Sequence, residues 1–153
     1  MIRRMRESDL EGAARLEKRY FSVPWTREQL GESLQSGQYL FLVAEENGQV
    51  AGYAGLLRVM DEGDVTNVVV DEAYRGKGLG TRLMAALLEE GRGCGMKEFT
   101  LEVRVSNQRA IRLYESLGFV QEGIRKRFYE RPVEDALIMW KRDQGATSNL
   151  LFR

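Results

Sequence analysis

The chain is 153 residues long, 43% of them hydrophobic, with 23 basic and 23 acidic side chains. That is enough for one domain around one core, and the even charge balance argues against nucleic acid as a partner, because phosphate neutralisation needs a basic excess. Histidine is absent and Cys94 is the only cysteine, which excludes a Ser-His-Asp triad, a Cys-His pair, a His-ligated zinc, an internal disulfide and a Cys-rich cluster, so no metal is expected.

A single thiol fits a reducing compartment. The first residues, Met1-Ile2-Arg3-Arg4-Met5-Arg6, are charged with no apolar run behind them, so no signal peptide is expected. The longest apolar stretches, such as Leu40–Ala44 and Ala136–Trp140, fall far short of the roughly 20 residues a membrane helix needs. The expectation is a soluble, cytoplasmic protein without a membrane partner.

Ile2–Arg6 reads as a short edge strand. Ser8 or Asp9 can cap a helix to about Tyr20, with Leu10, Ala13, Ala14 and Leu16 on its apolar side. After Pro24-Trp25, Thr26 caps a second helix and Gln29 completes a capping box; the helix ends near Ser36-Gly37. Tyr39–Ala44 and Val50–Met60 are apolar runs joined through Asn47-Gly48, a hairpin signal. Asp61-Glu62-Gly63-Asp64 is expected to be a turn before a valine-rich strand, Val65–Val70. These three strands should form an antiparallel meander.

A glycine-rich turn, Arg75–Gly80, then opens a helix carrying Leu79, Leu83, Met84, Leu87 and Leu88. Phe99–Val105 alternates, with Thr100, Glu102 and Arg104 opposite Phe99, Leu101, Val103 and Val105. Ser106-Asn107 caps a helix that Gly118 stops. Phe119–Tyr129 and Asp135–Lys141 read as a final hairpin. Residues 1–143 are expected to form a single α/β domain, a mixed and mostly antiparallel sheet with helices on both faces, followed by a tail, 144–153, without an assignable role.

The turn at 75–80 sits between strand and helix, where unpaired N–H groups and the helix dipole suit a phosphate. Glycines making only a tight turn would leave the same composition. The P-loop needs Gly-x4-Gly-Lys-Ser/Thr, which is missing, and the dinucleotide fingerprint Gly-x-Gly-x-x-Gly fails because its third glycine comes one residue early, at Gly80. Arg75-Gly76-Lys77-Gly78-Leu79-Gly80 does match Arg/Gln-x-x-Gly-x-Gly. In that motif and in the order of elements, the chain resembles the GNAT superfamily of acyl-CoA-dependent N-acetyltransferases over nearly its whole length. Leu101-Glu102-Val103-Arg104, Ser106-Asn107, Leu113–Phe119, Glu134-Asp135-Ala136 and Pro24-Trp25-Thr26 resemble the RimI branch, which acetylates the N-terminal alanine of a ribosomal protein.

The resemblance implies a GNAT fold with a sheet of about seven strands and acetyl-CoA as cosubstrate. It places the cofactor against Val68, Val69, Val70, Arg75, Gly76, Lys77, Gly78, Leu79, Gly80, Thr81 and Asn107. Glu102 would be the general base and Tyr114 the general acid that protonates the departing sulfur. Trp25 and Tyr129 would contact the substrate, and the hairpin with Phe128, Arg125, Lys126, Arg127 and Arg131 would grip its N-terminus. The acceptor implied is the N-terminus of small-subunit ribosomal protein eighteen, attacking the thioester directly. From the residues alone, Glu102 can instead pair with Arg104 on a solvated face, Tyr114 can be core packing beside Ala110 and Ile111, Asn107 can be only a cap, and Cys94 is a bystander. The same fold could also act on lysine side chains or small amines, or serve as a non-catalytic acyl-CoA sensor, which would need neither Glu102 nor Tyr114.

Overall fold

The computed structural model describes residues 1–142, so the expectation for the tail, 144–153, lies outside the described residues. The elements are β1 (Ile2–Arg4), α1 (Leu10–Tyr20), α2 (Arg27–Ser36), β2 (Tyr39–Glu46), β3 (Gln49–Val59), β4 (Glu62–Val70), α3 (Leu79–Gly93), β5 (Glu98–Arg104), α4 (Gln108–Ser116), β6 (Val120–Tyr129) and β7 (Glu134–Lys141). The strands form one sheet in the order β1-β2-β3-β4-β5-β7-β6, antiparallel throughout except for β4 beside β5. Among the described residues, no helix is long and apolar enough to cross a membrane.

Local chemistry accounts for most boundaries. Asn47 and Gly48 both take left-handed φ, 53° and 75°, as the two-residue turn between β2 and β3 requires. The Thr26–Gln29 capping box forms as expected, with reciprocal bonds of 2.8 and 3.1 Å. Asp9 behaves differently from the expected helix cap: its side chain does not cap α1. It takes a bidentate contact from Arg3 at 2.8 and 2.9 Å and the Arg6 N–H at 2.7 Å, which ties β1 to the start of α1.

The turn expected at Asp61–Asp64 is also corrected. The chain reverses at Met60-Asp61, and Glu62–Asp64 are already strand, paired with Leu57–Val59. Gly63 is there for packing: a Cβ at this position would lie 2.8 Å from Met96 Sδ and 2.9 Å from a Phe99 ring carbon. Its composition resembles a turn, but the close approach of the next strand sets its role.

Two apolar layers cover the sheet. On one face Leu83, Met84, Leu87 and Leu88 of α3 and Ile111 of α4 pack on Leu42, Ala54, Leu56, Phe99 and Leu101. On the other, Leu10, Ala13 and Leu16 of α1 and Leu30 of α2 pack on Phe41, Val43, Tyr53 and Val69. Each buried leucine contributes about 1.5–3 kcal/mol, so the two layers clamp the strands between them.

The strands β4 and β5 are held together at one end only. Their parallel pairing covers Glu62↔Glu98, Gly63↔Phe99 and Asp64↔Thr100 and then stops. Beyond it Val65–Val70 and Leu101–Arg104 part company. A bulge coincides with the parting: Leu56 faces Val65 while Gly55 faces Asn67, which leaves Thr66 without a partner on β3. The extra residue lets Thr66 and Asn67 both look toward α1, and it re-aims the rest of β4.

Gly52 on β3 keeps the far end of β4 in place. A Cβ there would sit 2.7 Å from the Val69 carbonyl oxygen and 3.3 Å from Val70 Cα. Gly52→Ala should therefore push the Val68–Val70 backbone outward and cost about 1–3 kcal/mol. Denaturant unfolding checks the stability.

Candidate active site

Two clefts open along the parted strands. The first, about 590 Å³, is walled by β4 (Val65–Val68), β5 (Leu101–Arg104), the end of α1 and the following segment (Phe21–Val23, Trp25), and the β6–β7 connection (Phe128–Pro132). The second, about 570 Å³, lies between Val68–Val70, the loop and helix start at Arg75–Thr81, and Arg109, Ala110 and Leu113 on α4. Tyr20, Phe21, Val68, Asn107 and Tyr114 line both. The clefts meet there, in the gap between β4 and β5.

The second cleft fits an anionic, extended ligand. The first helical bond of α3 runs from the Arg82 N–H to the Gly78 carbonyl at 3.1 Å. The N–H groups of Leu79, Gly80 and Thr81 consequently have no acceptor within the helix. Gly76 and Gly78 take φ of 81° and 73°, and a Cβ at either would meet nothing within 4 Å, so the backbone presents a bare concave surface. Arg75 braces that loop: its Nε donates to the Val70 carbonyl at 2.9 Å, and its guanidinium lies 4.6 Å over the Tyr20 ring. Tyr20 in turn donates to Asp71 Oδ1 at 3.0 Å and accepts the Glu72 N–H at 2.7 Å. Lys77 is exposed and lines neither cleft, unlike its neighbours in the motif.

The Val68–Val70 amides alternate. The Asp71 N–H bonds the Ala51 carbonyl on β3 at 2.7 Å, so Val69, two residues back, also faces β3, and the Val68 and Val70 N–H groups face the gap. Asn107 caps α4, its Oδ1 accepting the Ala110 N–H at 3.2 Å, and also lines both clefts.

Tyr114 is buried in the core of α4, edge-on to Phe119 at 6.0 Å between centroids. It is also a cleft residue, so packing and exposure of its hydroxyl edge coexist. Burial, and then the neighbouring Tyr129, push its pKa well above the usual tyrosine value. Tyr129 is itself pushed up to about 12, by burial first and by Glu102 second. Both phenols therefore stay protonated across the neutral range.

Glu102 lines the first cleft, with only a long 3.8 Å contact from its Oε2 to Arg125. The Glu102–Arg104 pair that alternation allows does not form. Arg104 is occupied by the β6–β7 connection: it donates to the Pro132 and Glu130 carbonyls at 2.9 Å each and to Glu134 at 3.2 Å, and it lies 4.5 Å over the Tyr129 ring. Glu134 also accepts the Ser106 N–H at 2.8 Å. Arg104 thus fixes the wall that carries Tyr129 and leaves Glu102 free to face the cleft. Trp25 joins the opposite wall, edge-on to Tyr39 and Phe41. Phe128 and Arg131 line the first cleft, whereas Lys126, Arg127 and Cys94 line neither.

Three groups in or beside this cleft are not singled out by the sequence reading: Glu17, Asn67 and Asp64. Glu17 could have been found as an acid interrupting the apolar stripe of Leu10, Ala13 and Leu16. Asp64 looks like a turn residue in sequence, yet it sits on β4 near Glu102, and its Oδ1 is buried without a partner. Burial first, and then the Glu102 charge, raise its pKa to about 6. A carboxyl raised on folding subtracts stability as pH rises from its unfolded value of about 3.9 toward 6. Asp64→Asn should therefore raise Tm at pH 7.5 and have little effect at pH 4, where Asp64 is already protonated. Thermal melts at the two pH values check this.

Comparison with known proteins places this arrangement. Residues 10–119 match the model of the acetyltransferase (GNAT) family. The ribosomal protein bS18-alanine N-acetyltransferase of Escherichia coli is 39% identical over 140 residues, which cover 90% of this chain and 94% of that one. The N-alpha-acetyltransferase RimI of Mycobacterium tuberculosis is 36% identical over 147 residues, 92% and 90% of the two chains. The crystal structure of the Escherichia coli enzyme superposes with a TM-score of 0.84 at 37% identity, covering 92% of this chain and 91% of that one. With its parted strands, its glycine-lined helix start and these relatives, the chain belongs to the GNAT family of acetyltransferases.

Proposed function

We propose that this enzyme transfers the acetyl group of acetyl-CoA to the free N-terminal α-amine of a protein, in the cytoplasm, with the N-terminal alanine of small-subunit ribosomal protein eighteen as the acceptor. The observation that carries the reading is the meeting of the two clefts in the gap between β4 and β5. One offers bare N–H groups for an anionic cofactor, and the other joins a carboxylate held only by a long contact, Glu102, to an aromatic-walled acceptor cleft. The names of the relatives supply the acceptor.

Acetyl-CoA, when bound, supplies a thioester carbonyl open to direct attack by an amine. The N–H groups from Gly76 to Thr81 would hold the pyrophosphate, and Val68–Val70 with Asn107 the pantetheine arm. The gap-facing N–H groups of Val68 and Val70 are the donors for the carbonyl oxygen as it gains charge. Trp25 and Tyr129 would face each other across the incoming residue. An α-ammonium has a pKa of about 8, against about 10.4 for lysine, so a carboxylate, directly or through a water, suffices to take its proton. Glu102 holds that position. Tyr114, kept protonated by burial, is the donor to the departing sulfur. A lysine acceptor, with its higher pKa, would ask more of the same base and shift the pH dependence upward. A mere sensor would need neither Glu102 nor Tyr114 in the gap.

Peptides with a free N-terminal alanine should be acetylated, and the same peptides blocked at the N-terminus but carrying lysines should not. Equal reaction of the blocked peptides would overturn the α-amine assignment. Tyr114→Phe and Glu102→Gln should each lower kcat by roughly 10²–10⁴-fold with coenzyme A affinity retained. The Glu102→Gln deficit should be largest at low pH, where more of the amine is protonated, and shrink toward the amine pKa. The wild-type rate should show no alkaline decline from tyrosine ionisation up to about pH 10.

A further inference from the structure

Glu17 is a charged residue of the acceptor cleft that the transfer chemistry does not use. It lies on α1 with 2% exposure, on the face that also buries Leu10, Ala13 and Leu16. A carboxylate is a costly filling for an apolar interface unless its oxygens are satisfied. Here they are satisfied by three donors from three parts of the chain. Oε1 accepts the backbone N–H of Trp25 at 2.9 Å. Oε2 accepts the Asn67 side-chain N–H at 3.1 Å and also the Tyr53 hydroxyl. Among the described residues no lysine or arginine forms an ion pair with it.

Two of the donors, Trp25 and Asn67, come from opposite parts of the cleft. Trp25 belongs to the segment 21–26 that walls the first cleft on one side, and Asn67 sits on the β4 bulge that forms its floor. A carboxylate only accepts, so Asn67 must turn its Nδ2 toward Glu17. That leaves Asn67 Oδ1 buried without a partner, in a residue that lines the cleft and is 5% exposed. The side-chain tie from this segment to the β6–β7 wall, Ser22 Oγ donating to the Glu130 carbonyl at 3.2 Å, is exposed. The Glu17 carboxylate is thus a buried buckle between the Trp25 side of the cleft and the β4 strand that floors it.

We propose that Glu17 is a positioning residue for the acceptor: its carboxylate fastens the Trp25 segment to the β4 bulge and so sets the opening through which the first residue of the substrate enters. The proposal rests on the reading of the first cleft as the acceptor site. It assigns Glu17 no proton transfer. Its loss should be felt by the peptide and not by acetyl-CoA, because no wall of the second cleft depends on it directly.

Glu17→Gln keeps the volume but removes the charge and replaces one acceptor oxygen by a donor, so Trp25, Asn67 and Tyr53 cannot all donate to it as they do to the carboxylate. KM for an N-terminal alanine peptide should rise by ~10-fold or more, while kcat at saturating peptide and KM for acetyl-CoA change little. Tyr53→Phe removes one donor, leaves the Trp25 and Asn67 bonds, and should leave the peptide KM near that of the wild type. An unchanged peptide KM in Glu17→Gln, or a fall in kcat with KM unmoved, would overturn the proposal. Amide hydrogen exchange of the wild-type protein provides a reading that needs no variant. The Trp25 amide should exchange far more slowly than those of Ser22 and Val23, and equal rates would overturn the proposal. If the wild-type enzyme acetylated no N-terminal peptide, the assigned reaction would fail instead, and the exchange measurement would still judge the buckle.

Discussion

Everything in the active region depends on two parallel strands being joined at one end and kept apart at the other. Pairing between β4 and β5 ends at Asp64↔Thr100. Leaving strand edges unpaired inside a domain is costly, because every free N–H and carbonyl wants a partner. The fold tolerates the gap because both strands are held from their other sides, β4 by β3 and β5 by β7, and because apolar layers clamp both faces. The unpaired groups then become the binding surface. The bulge at Thr66 reinforces the parting and turns Asn67 toward α1, where Glu17 receives it.

The electrostatics follow from the absence of histidine. Without an imidazole, proton work at neutral pH falls to groups whose ordinary pKa values lie far from 7. Burial moves the phenols of Tyr114 and Tyr129 upward, which keeps them protonated across the neutral range. Arg104, the neighbour of Glu102 on the same strand face, is engaged by the Glu130, Pro132 and Glu134 groups and does not pair with Glu102. Arginine suits that task, since its planar fork meets several oxygens at once. The same arginine stacks on Tyr129, so one side chain both removes a competitor for Glu102 and orients an aromatic wall.

Features written in a few adjacent residues were legible in the sequence. The Asn47-Gly48 turn, the Thr26–Gln29 box, the alternation from Phe99 to Val105 and the glycine turn at 75–80 each carry their own physical reason. The alternation put Glu102 and Arg104 on the face opposite Phe99, Leu101 and Val103, as found. Features that depend on distant partners were not legible. Asp61–Asp64 has turn composition, but Gly63 is fixed by Met96 and Phe99, which arrive from beyond α3. Asp9 looks like a cap until Arg3 reaches it from β1. The parting of β4 and β5 leaves no mark on either strand. Glu17 had a signal, a carboxylate on an apolar stripe, but its meaning comes from Trp25, Tyr53 and Asn67 together.

The most direct test of the account is a crystal structure with a bisubstrate conjugate, coenzyme A joined through an acetyl bridge to the α-amine of an alanine-initiated peptide. The account predicts the pyrophosphate on the N–H groups of Gly76–Thr81, the bridge carbonyl against the Val68 N–H in the gap, and the alanine between Trp25 and Tyr129, with Glu102 and Tyr114 on the two sides of the bridge. A conjugate seated with its peptide outside the first cleft, or with the bridge remote from both Glu102 and Tyr114, would contradict it.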